Sequence, residues 1–320
     1  MKITVIGCGR WGSLIAWYLA KTGHEVTLYG KDSSPHMKAL LDTRSNGLIT
    51  LPDNIALSTE ISSAKDAEII IISINSQGLR ALMHELSPLG LENKIFVLCM
   101  KGIEIGSGKR LSTVARECTS PTNRITVWLG PGHPEEFSAG IPNCMVIDGE
   151  DEETKSLLIK EFSGPLIRFY CGEDLIGNEI GAAVKNVIGI AAGMLDGLGI
   201  SSLKGALMSR GTREVSRLIS ALGGNELSAY GLCHLGDYEA TVFSSHSHNR
   251  KFGESLILGM EYNELAEGYY TADAVHRLAL AHGVDMPICR AVYEVLYDKK
   301  PPHEALAELF ERSLKREFYK

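Results

Sequence analysis

Short continuous runs of apolar residues recur through the first 175 positions, and polar segments of helical length separate them. A run of about four to eight apolar residues is typical of a strand that is buried on both faces of a sheet. The runs lie before Gly7 and at 24–29, 68–74, 95–100, 125–129, 143–147 and 167–171. Strands that alternate with helices form right-handed crossover units, so the pattern predicts an α/β domain over 1–175 with a mainly parallel, doubly wound sheet.

The pattern changes past position 176, where apolar residues recur with the period of about 3.6 that is typical of amphipathic helices. The helical segments lie at 178–198, 203–222, 254–258, 272–282, 288–296 and 303–315. These segments predict an all-helical domain over 176–320, with no Pro/Gly-rich linker before it. Ligands of doubly wound sheets bind beyond the carboxyl ends of the strands, so we expect a site where those ends meet the helical domain.

Three glycines follow the first strand in the pattern Gly7-x-Gly9-x-x-Gly12, and a helical pattern starts at once. Gly7 permits a tight turn, Gly9 lets the backbone approach a pyrophosphate, and Gly12 lets the helix pack closely on the sheet. Asp32 lies twenty positions past Gly12, as the dinucleotide fingerprint requires. The alternative is a strand–turn–helix that binds nothing; the strand and helix context favours a Rossmann-type dinucleotide site.

The end of the second strand, Tyr29-Gly30-Lys31-Asp32, bears on the choice of dinucleotide. A carboxylate there accepts from the ribose 2′-hydroxyl of NAD, whereas a cation favours the 2′-phosphate of NADP. Lys31 comes first after the strand and Arg10 is near, so the sequence favours NADP and also admits NAD. An ordinary solvated loop lysine is the alternative interpretation of Lys31.

Composition excludes several classes of protein. The chain has 320 residues, 44% of them hydrophobic, and a formal net charge of −7, which suits two cores and argues against a nucleic-acid partner. No apolar run approaches the ~20 residues of a membrane span, and the N-terminus lacks a secretory signal pattern. The seven cysteines are scattered without a C-x-x-C pair, which is typical of reduced thiols and predicts a cytoplasmic protein.

Lys185 lies in the middle of an apolar helical segment, on a face that is otherwise made mostly of small residues. The stripe through it holds Asn178, Gly181, Gly189, Ala192 and Asp196. Glycine in a helix costs up to ~1 kcal/mol relative to alanine, and close helix packing is the alternative explanation for these glycines. Packing does not explain a lysine there, and a desolvated lysine has a lowered pKa that allows proton exchange near neutral pH.

Polar segments follow two strands and interrupt the helical half. Lys101-Gly102 and the segment 130–137 follow strands, and each has an ordinary loop as its alternative. The segments 231–237 and 244–253 are rich in Ser, His, Asn and Arg, which favours an anion site. A metal site is disfavoured because no helical His-x-x-x-His pair exists, and a hydrolase because no Gly-x-Ser-x-Gly elbow exists.

These pieces, taken together, resemble the bacterial type of NAD(P)-dependent sn-glycerol-3-phosphate dehydrogenase. The matching segments, in order, are 7–12, 101–102, 130–136, 181–188, 191–199, 210–211, 235–237, 249–253 and 267–269. The resemblance implies reduction of dihydroxyacetone phosphate to sn-glycerol 3-phosphate, the backbone precursor of phospholipids. It leaves the oligomeric state open, with a homodimer as one expected form.

The resemblance also implies the roles of individual residues. Lys185 would be the catalytic proton donor or acceptor. Substrate-binding positions would be Lys101, Gly130, Gly132, Lys185, Asp237, Ser247, His248 and Asn249. Cofactor-binding positions would be Gly7, Gly9, Arg10, Trp11, Gly12, Lys31, Lys101, Pro134, His248, Leu265 and Glu267. No residue is assigned to a metal.

Three positions depart from the family pattern. Gly132 replaces a hydroxyl-bearing residue, Pro134 replaces a small residue and lacks an N–H, and His248 replaces the arginine expected to clamp the substrate phosphate. Arg250 or Lys251 could take over that clamp.

These departures keep two alternative functions open. The first is a paralogue that reduces another ketone or a 2-oxo acid, as hydroxyacid and ketopantoate reductases do. The second is a non-catalytic NAD(P)H sensor. Retention of Lys185, Lys101 and Asp237 argues against a sensor, which needs no proton relay.

Overall fold

The computed structural model describes residues 1–313 and 316–317, and its central element is a twisted sheet of eight strands within that range. The strands are β1 (Lys2–Ile6), β2 (Glu25–Tyr29), β3 (Ala56–Ser58), β4 (Ile69–Ile72), β5 (Ile95–Leu98), β6 (Arg124–Leu129), β7 (Asn143–Gly149) and β8 (Ile167–Cys171). Their spatial order is β3-β2-β1-β4-β5-β6-β7-β8. All neighbouring pairs are parallel except β6 and β7. This confirms the predicted mainly parallel, doubly wound sheet; the three-residue edge strand β3 was not predicted.

Helices connect the strands and then form the rest of the chain. The first six are α1 (Arg10–Lys21), α2 (Pro35–Thr43), α3 (Leu79–Leu86), α4 (Leu111–Glu117), α5 (Pro134–Ser138) and α6 (Glu152–Phe162). The next six are α7 (Leu175–Gly197), α8 (Lys204–Ala221), α9 (His248–Leu258), α10 (Glu267–Ala281), α11 (Pro287–Leu296) and α12 (Pro302–Glu311). The helical character of the C-terminal part is therefore confirmed.

Two helices begin earlier in the structure than the sequence pattern predicted. A third helix ends earlier than predicted. The helix predicted at 254–258 starts at His248, because the Ser247 hydroxyl accepts the Arg250 N–H at 3.3 Å and caps the first turn. The helix predicted at 272–282 starts at Glu267. The last helix was predicted to 315 but ends at Glu311, and predicted positions 314 and 315 lie outside the described residues.

Both faces of the sheet are covered, as β4 shows most clearly. Its four isoleucines are fully buried, with Ile69 and Ile71 in one apolar cluster and Ile70 and Ile72 in the other. Side chains alternate between the faces of a strand, so a continuous apolar run is what a doubly covered strand requires.

Helix α7 is the core of the helical part and packs against α9 with the two backbones in contact. A Cβ atom on Gly193 would lie 1.9 Å from the Arg250 carbonyl oxygen, and one on Gly253 would lie 2.1 Å from the Ile190 carbonyl oxygen. Only glycine fits at either position. Among the described residues α7 is also the one helix with the length and composition to cross a membrane, but 89% of its apolar window is buried inside the protein.

Candidate active site

The glycine-rich turn between β1 and α1 has the geometry of a phosphate cradle. Gly7 has a φ of +113°, and a Cβ there would lie 2.1 Å from the Ser73 carbonyl oxygen. A Cβ on Gly12 would lie 1.8 Å from the Gly7 carbonyl oxygen, whereas one on Gly9 would have no atom of the described residues within 4 Å. Gly9 therefore faces open space at the start of α1, where uncapped backbone N–H groups favour an anion. These features fit a dinucleotide pyrophosphate.

This turn opens onto a cleft of about 880 Å³ between the carboxyl ends of the strands and the helical part. The volume is within the range of small-molecule and cofactor sites. The predicted site residues that line it are Gly7, Gly9, Arg10, Trp11, Gly12, Lys31, Lys101, Gly132, Pro134, Lys185, Asp237, Ser247, His248, Asn249, Leu265 and Glu267. Gly130 is set back from the cleft wall, and its carbonyl oxygen accepts a hydrogen bond from Lys101 Nζ at 2.7 Å.

Lys185, Asp237 and Lys101 form a charged cluster in the wall of the cleft. Asp237 Oδ2 lies 2.5 Å from Lys185 Nζ and 2.7 Å from Lys101 Nζ. Lys185 Nζ also donates to Thr241 Oγ1 at 2.8 Å. Thr241 lies in a short π-helical turn, Glu239–Phe243, and its hydroxyl donates to the Asp237 carbonyl oxygen at 2.7 Å. Sequence reasoning did not identify Thr241, since such turns have no sequence signature.

Burial lowers the pKa of Lys185 to about 7. The negative charge of Asp237 acts in the opposite direction, and the positive charge of Lys101 lowers the pKa further. The side chain can therefore be either charged or neutral near physiological pH, which is the property that general acid–base catalysis requires.

The carboxylate of Asp237 has spare hydrogen-bonding capacity. The residue is fully buried, and its Oδ1 atom has no hydrogen-bond partner in the described structure. A buried, unpartnered carboxylate oxygen is costly, so this atom is suited to accept a hydrogen bond from a bound hydroxyl group.

The N-terminus of α9 brings Ser247, His248 and Asn249 to the same cleft. His248 Nδ1 lies 2.6 Å from Glu264 Oε2 and 2.9 Å from the Tyr262 hydroxyl. Burial lowers the pKa of His248, against the influence of the Glu264 carboxylate. Asn249 Oδ1 accepts the backbone N–H of Gly268 at 2.8 Å, which leaves its amide NH₂ group as a donor.

Arg250, which the sequence offered as a substitute phosphate clamp, is turned away from the cleft. Its Nη1 atom lies 2.5 Å from Asp196 Oδ2, and its Nε atom donates to the Ser244 carbonyl oxygen at 3.1 Å. Asp196, which was predicted on the Lys185 stripe, is thus a partner of Arg250 and of Lys204 Nζ at 2.6 Å. Lys251 is exposed and does not line the cleft. Neither Arg250 nor Lys251 lines the cleft, so the structure does not support either residue as the substitute clamp.

His133 and His246, to which the sequence pattern assigned no role, also line the cleft. The rings of His133 and His246 lie 5.7 Å apart, and His133 Nε2 donates to the Ala240 carbonyl oxygen at 2.8 Å. Burial, and then the charge of Lys185, lower the pKa of His133. His234 is different: Gly181 and Tyr238 occupy its two ring nitrogens, and burial lowers its pKa to about 4.

Glu267 and Glu85 also line the cleft, and both are placed by contacts that sequence spacing does not reveal. Glu267 Oε1 accepts the backbone N–H of Ser76 at 3.0 Å, and burial raises the pKa of this carboxyl group. Glu85 Oε1 accepts from Lys31 Nζ at 2.7 Å. Gly78, Ala81, Leu82 and Glu85 form one face of the α3 region, and that periodic face was the available signal for Glu85.

A glycine cradle that shares one cleft with a buried lysine–aspartate pair defines a nicotinamide-dinucleotide dehydrogenase as the class of protein. Family models give the particular family. Residues 2–155 match the N-terminal model of NAD-dependent glycerol-3-phosphate dehydrogenase, and residues 174–307 match its C-terminal model. The chain belongs to this family, which confirms the resemblance.

Individual relatives agree with the family assignment. The chain is 37% identical to "Glycerol-3-phosphate dehydrogenase [NAD(P)+]" of Pelodictyon phaeoclathratiforme, covering 99% of each chain. It is 38% identical to the protein of that name from Streptomyces coelicolor, covering 99% of this chain and 98% of the relative. The crystal structure of glycerol-3-phosphate dehydrogenase from Coxiella burnetii superposes with a TM-score of 0.92 at 28% identity, covering 97% and 99% of the two chains. D-mandelate dehydrogenase, with a TM-score of 0.64 at 15% identity, shares the fold.

Proposed function

We propose that this chain is an NAD(P)-dependent sn-glycerol-3-phosphate dehydrogenase that reduces dihydroxyacetone phosphate. The balanced reaction is dihydroxyacetone phosphate plus NAD(P)H plus H⁺ giving sn-glycerol 3-phosphate plus NAD(P)⁺. The observation that carries the proposal is the position of Lys185, buried beside Asp237 and Lys101 in the cleft that also contains the glycine cradle.

The cofactor would lie along the strand ends. Gly7, Gly9 and Gly12 would receive the pyrophosphate, with Arg10, Trp11 and Lys31 along the nucleotide and Pro134, Leu265 and Glu267 beside it. NADH or NADPH, when bound, supplies the hydride for reduction of the substrate carbonyl.

Lys185 would supply the proton. Reduction of a ketone leaves negative charge on the former carbonyl oxygen, and a neighbouring ammonium group both stabilises that charge and donates the proton. The lowered pKa of Lys185 lets it give up this proton near neutral pH and accept it in the reverse reaction. Asp237 and Thr241 hold the amine in place through contacts of 2.5 and 2.8 Å.

Lys101 and the N-terminus of α9 would position the substrate. Lys101 Nζ is anchored by the Gly130 carbonyl oxygen and Asp237, with the Asp237 Oδ1 atom left to accept from a substrate hydroxyl. Ser247, His248 and Asn249 surround the start of α9, where backbone N–H groups favour a phosphate. Gly132 also lines the cleft, and its φ of +130° and a Cβ position 2.4 Å from Phe137 Cε2 favour glycine there.

A second candidate function is reduction of an unphosphorylated ketone or 2-oxo acid. One observation favours it: Arg250 pairs with Asp196 and Glu254, so it does not supply the clamp that His248 lacks. Histidine presents a weaker and pH-dependent charge to a phosphate dianion than arginine does.

One assay separates these functions. Oxidation of NADH and of NADPH is followed with dihydroxyacetone phosphate, unphosphorylated dihydroxyacetone and a panel of 2-oxo acids. A kcat/KM for dihydroxyacetone phosphate that exceeds every other substrate by at least about a hundredfold supports the proposal. Preference for an unphosphorylated ketone or a 2-oxo acid contradicts it and supports the second candidate.

We also propose that residues 1–175 form the dinucleotide-binding domain and 176–320 the helical substrate domain of a cytoplasmic enzyme. Burial of α7 within the helical core supports a protein without a membrane span. A homodimer is the proposed assembly, and sedimentation velocity at several concentrations tests it.

A further inference from the structure

The positive charges at the nucleotide end of the cleft are both neutralised by glutamates. Of the described residues that line this end, Arg10 and Lys31 carry the full positive charges. Arg10 pairs with Glu135, and Lys31 Nζ lies 2.7 Å from Glu85 Oε1. Lys31 alone would favour a 2′-phosphate, but the structure supplies it with a counter-charge.

We propose that Glu85 makes this cofactor site select NAD(H) over NADP(H). The inference rests on the proposed dinucleotide-binding role of the cleft. It differs from the preference for NADP that Lys31 suggests in the sequence, because Glu85 comes from α3 and only the fold brings it to the end of β2.

The position of Glu85 is suited to reading the adenosine ribose. Lys31 lies two positions past Tyr29, the last residue of β2, and the end of the second strand is where doubly wound sheets recognise the 2′ position. Glu85 projects from the face of the α3 region that lines the same part of the cleft, with Gly78, Ala81 and Leu82. A carboxylate here accepts a hydrogen bond from a 2′-hydroxyl, and Lys31 fixes its position.

The same carboxylate opposes a 2′-phosphate. The 2′-phosphate of NADPH would add a charge of about −2 to a site where Glu85 already pairs with Lys31. Either the Lys31–Glu85 ion pair must open, or the phosphate and the Glu85 carboxylate must lie close together with like charges. Burial, and then the negative charge of Glu85, raise the pKa of the neighbouring Tyr29, whereas the positive charge of Lys31 lowers it. Both members of the pair are partly exposed, with side-chain exposures of 60% for Lys31 and 42% for Glu85. Solvent therefore moderates the effect to roughly tenfold in affinity.

Equilibrium binding of NADH and of NADPH to the full chain tests the proposal without substrate. Nicotinamide fluorescence gives both dissociation constants. The wild type is expected to bind NADH at least about tenfold more tightly than NADPH. Glu85→Gln is expected to tighten NADPH binding about tenfold and to change NADH binding less than about threefold. Glu153→Gln, which removes an exposed carboxylate on α6 away from the cleft, is the matched control and should leave both constants unchanged.

A double variant tests whether the gain in NADPH affinity comes from Lys31 when Glu85 no longer pairs with it. Adding Lys31→Met to Glu85→Gln should abolish the gain in NADPH affinity. The proposal is overturned if the wild type binds NADPH as tightly as NADH, or if Glu85→Gln shifts both cofactors equally. Failure to bind either dinucleotide would overturn it together with the cofactor assignment. Inactivity with dihydroxyacetone phosphate alone would contradict the proposed function and leave this inference standing.

Discussion

Replacement of Lys185 by methionine is the sharpest test of the catalytic assignment. The substitution keeps the length of the side chain and removes its charge. Asp237 retains its contact with Lys101 Nζ at 2.7 Å, so the buried carboxylate keeps a partner and the variant should fold. Loss of a positioned general acid costs at least about a hundredfold in turnover, or roughly 2.7 kcal/mol of transition-state stabilisation.

The assay is steady-state oxidation of NADH with dihydroxyacetone phosphate, together with fluorescence titration of the cofactor. We expect kcat to fall at least about a hundredfold in Lys185→Met, while the dissociation constant for NADH changes less than about threefold. Lys160→Met removes an exposed lysine of α6 and is the control, with wild-type kinetics expected.

The pH dependence adds a second readout. The pKa of Lys185 is lowered to about 7, so the ammonium form needed for reduction is present below pH 7 and is lost as the pH rises through that value. The reverse oxidation needs the neutral amine and should rise over the same interval. Lys185→Arg stays protonated, so its residual reduction rate should show no such decline. Wild-type turnover in Lys185→Met, or an unchanged pH limb in Lys185→Arg, would refute the reasoning.

Four further substitutions around the cleft have predicted outcomes. Asp237→Asn should move the decline in reduction rate to lower pH, because the Asp237 charge raises the pKa of Lys185; a pH–rate profile with the limb unmoved or higher would contradict this. Gly9→Ala should leave the melting temperature within about 2 °C and weaken cofactor binding at least about tenfold, since its Cβ enters open space at the cradle. Gly12→Ala should lower the melting temperature by more than about 4 °C, because its Cβ would lie 1.8 Å from a carbonyl oxygen; calorimetry showing equal melting temperatures for the two variants would refute the contrast. His248→Arg should lower the KM for dihydroxyacetone phosphate and flatten its rise with pH, because the arginine keeps its charge where the histidine loses it. Burial lowers the pKa of His248 from its ordinary value of 6.5, so the wild-type rise should lie below that pH. A flat wild-type profile would remove His248 from phosphate binding.

The helices and strands that could be predicted from sequence are those whose burial requires a local pattern of apolar residues. The isoleucine run of β4 is apolar because both faces of the strand are covered, so composition alone identified it. The edge strand β3 has only three residues, Ala56–Ser58, and none is fully buried, which leaves no run to detect. The start of α9 was missed because Ser247 caps a polar first turn, whereas the prediction followed apolar spacing.

The residues of the candidate site likewise include some that the sequence could predict and some that it could not. Lys185 could be found because a lysine within an apolar, glycine-rich helix has no other explanation, and the glycine cradle has a fixed spacing. The contact between Glu85 and Lys31 could not be predicted, because it joins residues 54 positions apart on different elements. The orientation of the Arg250 side chain depends on Asp196, which is also 54 positions away. The sequence could therefore predict that Arg250 lies near the site, but not where its guanidinium group points.

The glycine contact between α7 and α9 has a consequence for how such a site can diversify. Gly193 and Gly253 bring the two backbones together, so the position of Lys185, the proposed proton donor on α7, is fixed relative to the first turn of α9. Side chains at that first turn, among them His248, can then be exchanged without displacing Lys185, because neither one takes part in the contact. With the substrate bound at the start of α9 as proposed, single substitutions there can give a duplicated copy of the chain a new substrate while the proposed proton donor stays in place.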